Sequence, residues 1–214
     1  SDLEDQMNSD AQLPSTYNRG TSAKRLILFS LVLTKLLYAT MGFAQVLGSG
    51  QLNIERRGHT ATLIENDTIL LVGGDNQNGM VSQAEIFDPV SRTSAPSASL
   101  ITSRTDHTAT RVSDGRVLVI GGRDDTSSLR STELYNPLTA SFEAGPSMMR
   151  ARSGHTATML SNGKILVAGG DLLGSAEIYD PITQSFSLVP ESLNTPRKFH
   201  SAILLISGQV MVVS

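Results

Sequence analysis

The chain has no cysteine and no tryptophan, and four tyrosines and six phenylalanines are all of its 5% aromatic content. Without cysteine there is no disulfide framework, no thiol nucleophile and no thiol for a lipid anchor. The scarcity of aromatic rings leaves few stacking platforms for sugars. Charge of one sign is missing too: 17 Lys+Arg against 20 Asp+Glu give a net −3 over 214 residues. No basic footprint for nucleic acid exists in such a balance. Long apolar runs are absent but for one, close to the N-terminus.

That run follows Lys24-Arg25, extends from Leu26 to Thr34, resumes after Lys35 and ends in Gly42-Phe43-Ala44. A basic start, an apolar core and small residues at the −3 and −1 places describe a secretory signal over residues 24–44, cleaved after Ala44. A membrane anchor is the alternative, because residues 26–47 approach the roughly 20 residues that a span needs. Against it, Lys35 near the middle would cost about 2.5–3.5 kcal/mol on insertion scales. Either reading sends the chain out of the cytoplasm, to a secreted, periplasmic or cell-surface location, with membrane contact only through this segment. Residues 1–23, polar and carrying Asp2, Glu4, Asp5 and Asp10, are expected to be disordered.

What is present is repetition. His59, His107 and His155 stand 48 residues apart and His200 follows after 45; Gly73-Gly74, Gly121-Gly122 and Gly169-Gly170 keep the 48-residue step. Asp88-Pro89, Asn136-Pro137 and Asp180-Pro181 are spaced 48 and 44, so the third repeat is shorter between its glycine pair and its Asp-Pro. Repeats of this length cannot bury their apolar faces alone and must stack on their neighbours. Residues 45–214 therefore form one array, with repeats at about 56–103, 104–151 and 152–196 and the first half of a fourth at 197–214.

Each repeat divides into four short strands. TATLI (60–64), TATRV (108–112) and TATML (156–160) have the length and β-branched content of buried strands. Asn66-Asp67, Asp114-Gly115, Asn162-Gly163 and Ser207-Gly208 supply two-residue turns that tolerate positive φ. The returning strands TILLV, RVLVI and KILVA end on Gly-Gly, where the backbone either takes positive φ or passes close to a neighbour. Third strands carry Glu85, Glu133 and Glu177 and stop at the Asp/Asn-Pro turn. The fourth strand is weak, with Phe142 and Phe186 in two repeats and only Thr93-Ser94 in the first.

The combination of R-x-x-H, Gly-Gly after an apolar strand, and two aromatics seven residues apart (Tyr135 with Phe142, Tyr179 with Phe186) resembles the kelch repeat of β-propellers. Phe stands where that family has Trp, and Ser94 fills the place in the first repeat. The wording GHTAT, DG/NG, GG and AEIYDP is similar to bacterial secreted proteins of the galactose-oxidase-like type. This implies an all-β fold, a kelch-type propeller segment of four-stranded antiparallel blades, three full repeats plus half of a fourth, behind an N-terminal hydrophobic helix. Propellers need about 4–8 blades to close, so the missing blades are expected from the rest of the chain or from self-association.

For function the resemblance implies a binding or interaction module. The alternatives are a carbohydrate-active enzyme, galactose oxidase-like or sialic-acid mutarotase-like, and a purely architectural surface repeat. Galactose oxidase uses copper with a tyrosine cross-linked to a cysteine, which this chain cannot build without cysteine. The four histidines recur at one repeat position, and so do the three glutamates, so no catalytic residue, metal site or cofactor is expected from them. The arginines are the lead: Arg56, Arg104, Arg152 and Arg197 each precede a histidine by three. Strand alternation puts them at one end of the array, together with the divergent loops that hold Asp75, Asn76, Arg123, Asp124 and Asp171. Near-identical turns occupy the other end. An unknown protein, an acidic peptide or carboxylate, or an anionic glycan is the expected partner at the loop end, since arginine presents a planar charged fork to carboxylates. The alternative is that each arginine bonds neighbouring carbonyls or one of the glutamates.

Overall fold

The structure, a computed structural model, describes residues 50–191 and 193–213; the leader and the disorder expected before it lie outside them. Three four-stranded antiparallel sheets follow one another along the chain. The first contains β1 (Thr60–Leu63), β2 (Ile69–Val72), β5 (Gln83–Asp88) and β6 (Thr93–Ser99), with a small hairpin of β3 (Asp75–Asn76) and β4 (Gly79–Met80) set into the loop after β2. The second is β7 (Thr108–Arg111), β8 (Val117–Ile120), β9 (Thr132–Asn136) and β10 (Ser141–Ala144). The third is β11 (Thr156–Met159), β12 (Ile165–Ala168), β13 (Ala176–Asp180) and β14 (Ser185–Leu188), and β15 (Ser201–Leu204) pairs with β16 (Val210–Val213) beyond it.

Successive sheets touch through their first strands, β1 on β7, β7 on β11 and β11 on β15. The core lies between the sheets. Leu70, Val72 and Ala84 of the first sheet pack on Val117, Val119 and Tyr135 of the second. Leu118, Ile120 and Leu134 on its opposite face meet Ile165, Val167 and Tyr179 of the third. Side chains along β8 thus alternate between two interfaces, and all four of its residues are buried. A continuous apolar run, not an alternating one, is what such a strand requires.

Burial is therefore strongest in the second strand of each repeat, whereas the TAT strands, expected to be buried, are only half so, with Leu63 57% exposed. Their position at the inner edge of each sheet leaves part of them uncovered. The first-repeat turn has positive φ at both Asn66 and Asp67, but elsewhere only Gly115, Gly163 and Gly208 are left-handed. Bonds from Gly115 N to Val112 O and from Val112 N to Arg116 O make the latter three-residue loops closed by a glycine bulge. The largest departure is β6, seven residues long where the sequence shows almost no strand signal. It is an edge strand, where Pro96 costs no ladder bond, and side chains fasten it: Ser94 Oγ donates to Glu85 at 2.6 Å and Ser97 Oγ meets the Tyr135 hydroxyl at 2.9 Å. The other two repeats hold their fourth strands by aromatic pairs, Tyr135–Phe142 and Tyr179–Phe186, with centroids 4.9 and 5.0 Å apart.

Candidate functional site

The glycine pairs fix how one sheet meets the next. Gly121 and Gly122 have φ of +55° and +90°, and a Cβ on Gly121 would lie 2.7 Å from the carbonyl oxygen of Arg152. No other residue satisfies both the left-handed backbone and that approach. The contact is a bond between sheets, Gly122 N donating to Arg152 O at 2.9 Å, repeated as Gly74 to Arg104 (2.8 Å) and Gly170 to Arg197 (2.9 Å).

The guanidinium of the same arginine turns inward. Arg104 Nη1 donates to Gly121 O (2.8 Å) and Ser131 O (3.0 Å), and Nη2 to Glu133 Oε1 (2.8 Å). Arg56 does the same with Gly73 O, Gln83 O and Glu85, and Arg152 with Gly169 O, Ser175 O and Glu177. Each carboxylate also accepts two backbone N–H groups from the segment just before its arginine: Asn53 and Ile54, Ile101 and Thr102, Met149 and Arg150. The three arginine side chains are 0% exposed. Burial pushes the Glu85 carboxyl up, but the bonds from Ser94, Asn53, Arg56 and Ile54 together hold it below its ordinary range.

Histidines join the sheets at the inner edge. His107 Nε2 shares a hydrogen bond with Thr60 Oγ1 of the preceding sheet (2.9 Å), His155 with Thr108 (2.9 Å) and His200 with Thr156 (3.1 Å). Burial, helped by the adjacent Arg104 and Arg152, pushes His107 and His155 down to about 3. Burial lowers His59 and His200 as well.

Four short strands, an inward arginine, a glycine pair and a carboxylate in the third strand now define the unit. Residues 104–149 match the Kelch motif. Comparison with curated proteins gave no match. Among solved structures the fold is similar to that of YjhT, with a TM-score of 0.60 at 18% sequence identity, over 72% of this chain and 57% of that one. The chain thus spans little more than half of that protein's length. The kelch unit seen by the motif is the second sheet, and the first and third repeat its geometry.

In kelch terms, the repeated arginines hold each blade together instead of meeting a ligand. This corrects the expectation for Arg56, Arg104 and Arg152: they sit at the loop end of the array, but their guanidiniums are enclosed by glycine carbonyls and glutamates. Arg197 is half-buried, its Nε bonded to Thr195 O at 3.2 Å. The remaining candidates do lie in the loops after the glycine pairs. Asp75 pairs with the exposed Arg57 (3.0 Å) and Arg123 with Asp106 (2.8 Å). Asn76 Nδ2 donates to Glu55 O, while Asp124 accepts from Thr126 and Ser127 and Asp171 from Leu173 and Ser175, so each acid is committed to its own loop.

The same end holds cations that the repeat pattern hides. The residue after each repeated arginine is Arg57, Thr105, Ser153 or Lys198, and the residue two before it is Ile54, Thr102, Arg150 or Thr195. The arginine itself is the same in every repeat, so the change of chemistry beside it from repeat to repeat is the signal that could have found them. Arg150 and Lys198 are exposed and line a cleft of about 560 Å³ with Met149, Leu172 and Leu173.

Proposed function

We propose that the chain is an exported propeller module that binds a partner through the loops following its glycine pairs. One observation carries the reading: the two ends of the array differ in kind. At the far end every Asp/Asn-Pro turn is built alike, the Asp88, Asn136 and Asp180 side chains each accepting the N–H two residues on and Arg92, Ala140 and Gln184 each at positive φ. At the loop end the three connections differ in length and composition and expose Gln77-Asn78, Asp125 to Ser127 and Leu172-Leu173. Function in repeat folds concentrates on the face where loops vary.

In a screen of the full chain on peptide and glycan arrays, binding should fall about tenfold on replacing Asn76, Arg123 or Leu172-Leu173. It should hold with Leu138→Ser and Ile182→Ser at the opposite end. The reverse pattern, or no binding, would overturn the reading. Export, and with it the finer galactose-oxidase-like type, rests on residues 24–44 and the repeat wording. Material recovered from a secreting host should begin at Gln45; full-length protein in the membrane fraction would show the anchor instead.

A further inference from the structure

Where blades two, three and four meet, four segments converge on one cleft: Ser128 from the β8–β9 loop, Met149 to Ala151 from the connection between blades, Gly170 to Leu173 from the β12–β13 loop, and Lys198 ahead of β15. Its composition is unlike the rest of the loop end. Leu172 is 87% exposed, Met149 60% and Leu173 55%, three large apolar side chains in water along one recess. Isolated exposed apolar residues need no explanation, but a contiguous group in a concavity does.

Charge narrows what could cover it. Arg150 and Lys198 stand at this cleft, and neither forms an ion pair among the described residues; the Arg150 backbone N–H donates to Glu177 Oε1 at 3.1 Å and Lys198 Nζ reaches Ser153 Oγ at 3.4 Å. Asp171, the one acid among the described residues that line it, is occupied by the N–H groups of Leu173 and Ser175 and by the Ser175 hydroxyl. Two available cations beside apolar side chains, on a chain of net charge −3, favour an anionic group attached to an apolar one. Among the described residues no aromatic ring lines the recess, which disfavours a sugar. The leucines line a concave site, which suits an extended peptide better than insertion into a bilayer.

We infer that this cleft binds a linear peptide segment carrying a carboxylate side chain next to a large aliphatic one. The inference rests on the loop-end reading above and adds the site and the ligand class to it. Arg150 and Lys198 take the carboxylate, Arg150 through its planar fork. Leu172, Leu173 and Met149 cover the aliphatic side chain, methionine adapting to its shape.

The test is to pan a phage library of random heptapeptides against the full chain and resynthesise the enriched sequences. Enrichment of Asp or Glu within two positions of Leu, Ile or Met is expected. Those peptides should bind about tenfold more weakly to Arg150→Gln/Lys198→Gln and to Leu172→Ser/Leu173→Ser. Unchanged thermal melting of both variants, all four residues being exposed, would show that folding is not the cause. Basic or uncharged enriched sequences, affinities indifferent to both variants, or binding of phosphatidylglycerol vesicles in place of peptides would overturn the inference. Loss only with Asn76 or Arg123 replaced would sink the cleft and leave the loop-end reading standing; loss with no loop-end variant would sink both.

Discussion

Replacing Arg104 by methionine should lower the unfolding free energy by about 3–5 kcal/mol, because it leaves the Glu133 carboxylate buried without its cation and strips Gly121 O and Ser131 O of their donor. Total stabilities are about 5–15 kcal/mol, so the variant stands near unfolding at ambient temperature. A simple buried ion pair can often be exchanged whole for apolar residues without loss. Here it cannot, since Glu133 also accepts from Ile101 N (2.7 Å) and Thr102 N (2.9 Å). Arg104→Met/Glu133→Met should therefore remain about 1–2 kcal/mol below the parent, the part-buried Ile101 and Thr102 N–H groups losing their acceptor. Denaturant midpoints at constant slope measure both. A double variant as stable as the parent would mean that the backbone bonds contribute nothing.

Acid should weaken the fold well above the pH at which carboxylates titrate. His107 and His155 stay neutral in the folded state down to about 3, whereas their ordinary value is 6.5. Above 6.5 neither state carries the proton and their neutral packing contributes fully. As pH falls below 6.5 the unfolded chain takes up protons that the folded one refuses, so stability drops until the folded value is reached. At pH 5 the loss is about 2 kcal/mol per histidine. Glu85, held below its ordinary 4.5, adds a further loss only under that value, so the window between 4.5 and 6.5 isolates the histidines. Unfolding free energies at pH 7.5 and 5.0 should differ by at least about 4 kcal/mol, since His59 and His200 are lowered too, and the difference should shrink by about 2 kcal/mol in His107→Gln. A flat profile across this window would show that the rings are solvated.

The repeat, its strand count and the glycine pairs were all legible in the sequence, because β8-type runs, turn residues and Gly-Gly are dictated by local backbone chemistry. The arginines were half legible. Their spacing from the histidines placed them at the right end of the array, but whether a guanidinium points outward depends on a carboxylate 29 residues away across the sheet, which no local pattern encodes. β6 was hidden because TSAPSAS has neither periodicity nor β-branched content beyond one threonine; pairing with β5 and two serine hydroxyls supply what propensity does not. Arg150 and Lys198 were missed for the opposite reason. A repeat pattern marks what the units share, and these two occupy positions where they differ.

The bonds between blades all reach a short way forward along the chain: Gly74 to Arg104, 30 residues on, and Thr60 to His107, 47 residues on. An emerging polypeptide could therefore close its first interface once β8 and β9, which carry Val117, Val119 and Tyr135, had appeared, without waiting for anything further downstream. Short loops carry a small closure cost, and assembly from the N-terminal end would cover each apolar sheet face within one repeat of its synthesis. Growth by zippering, with one raw edge at a time, lessens the exposure that makes slow non-local β topologies prone to aggregate.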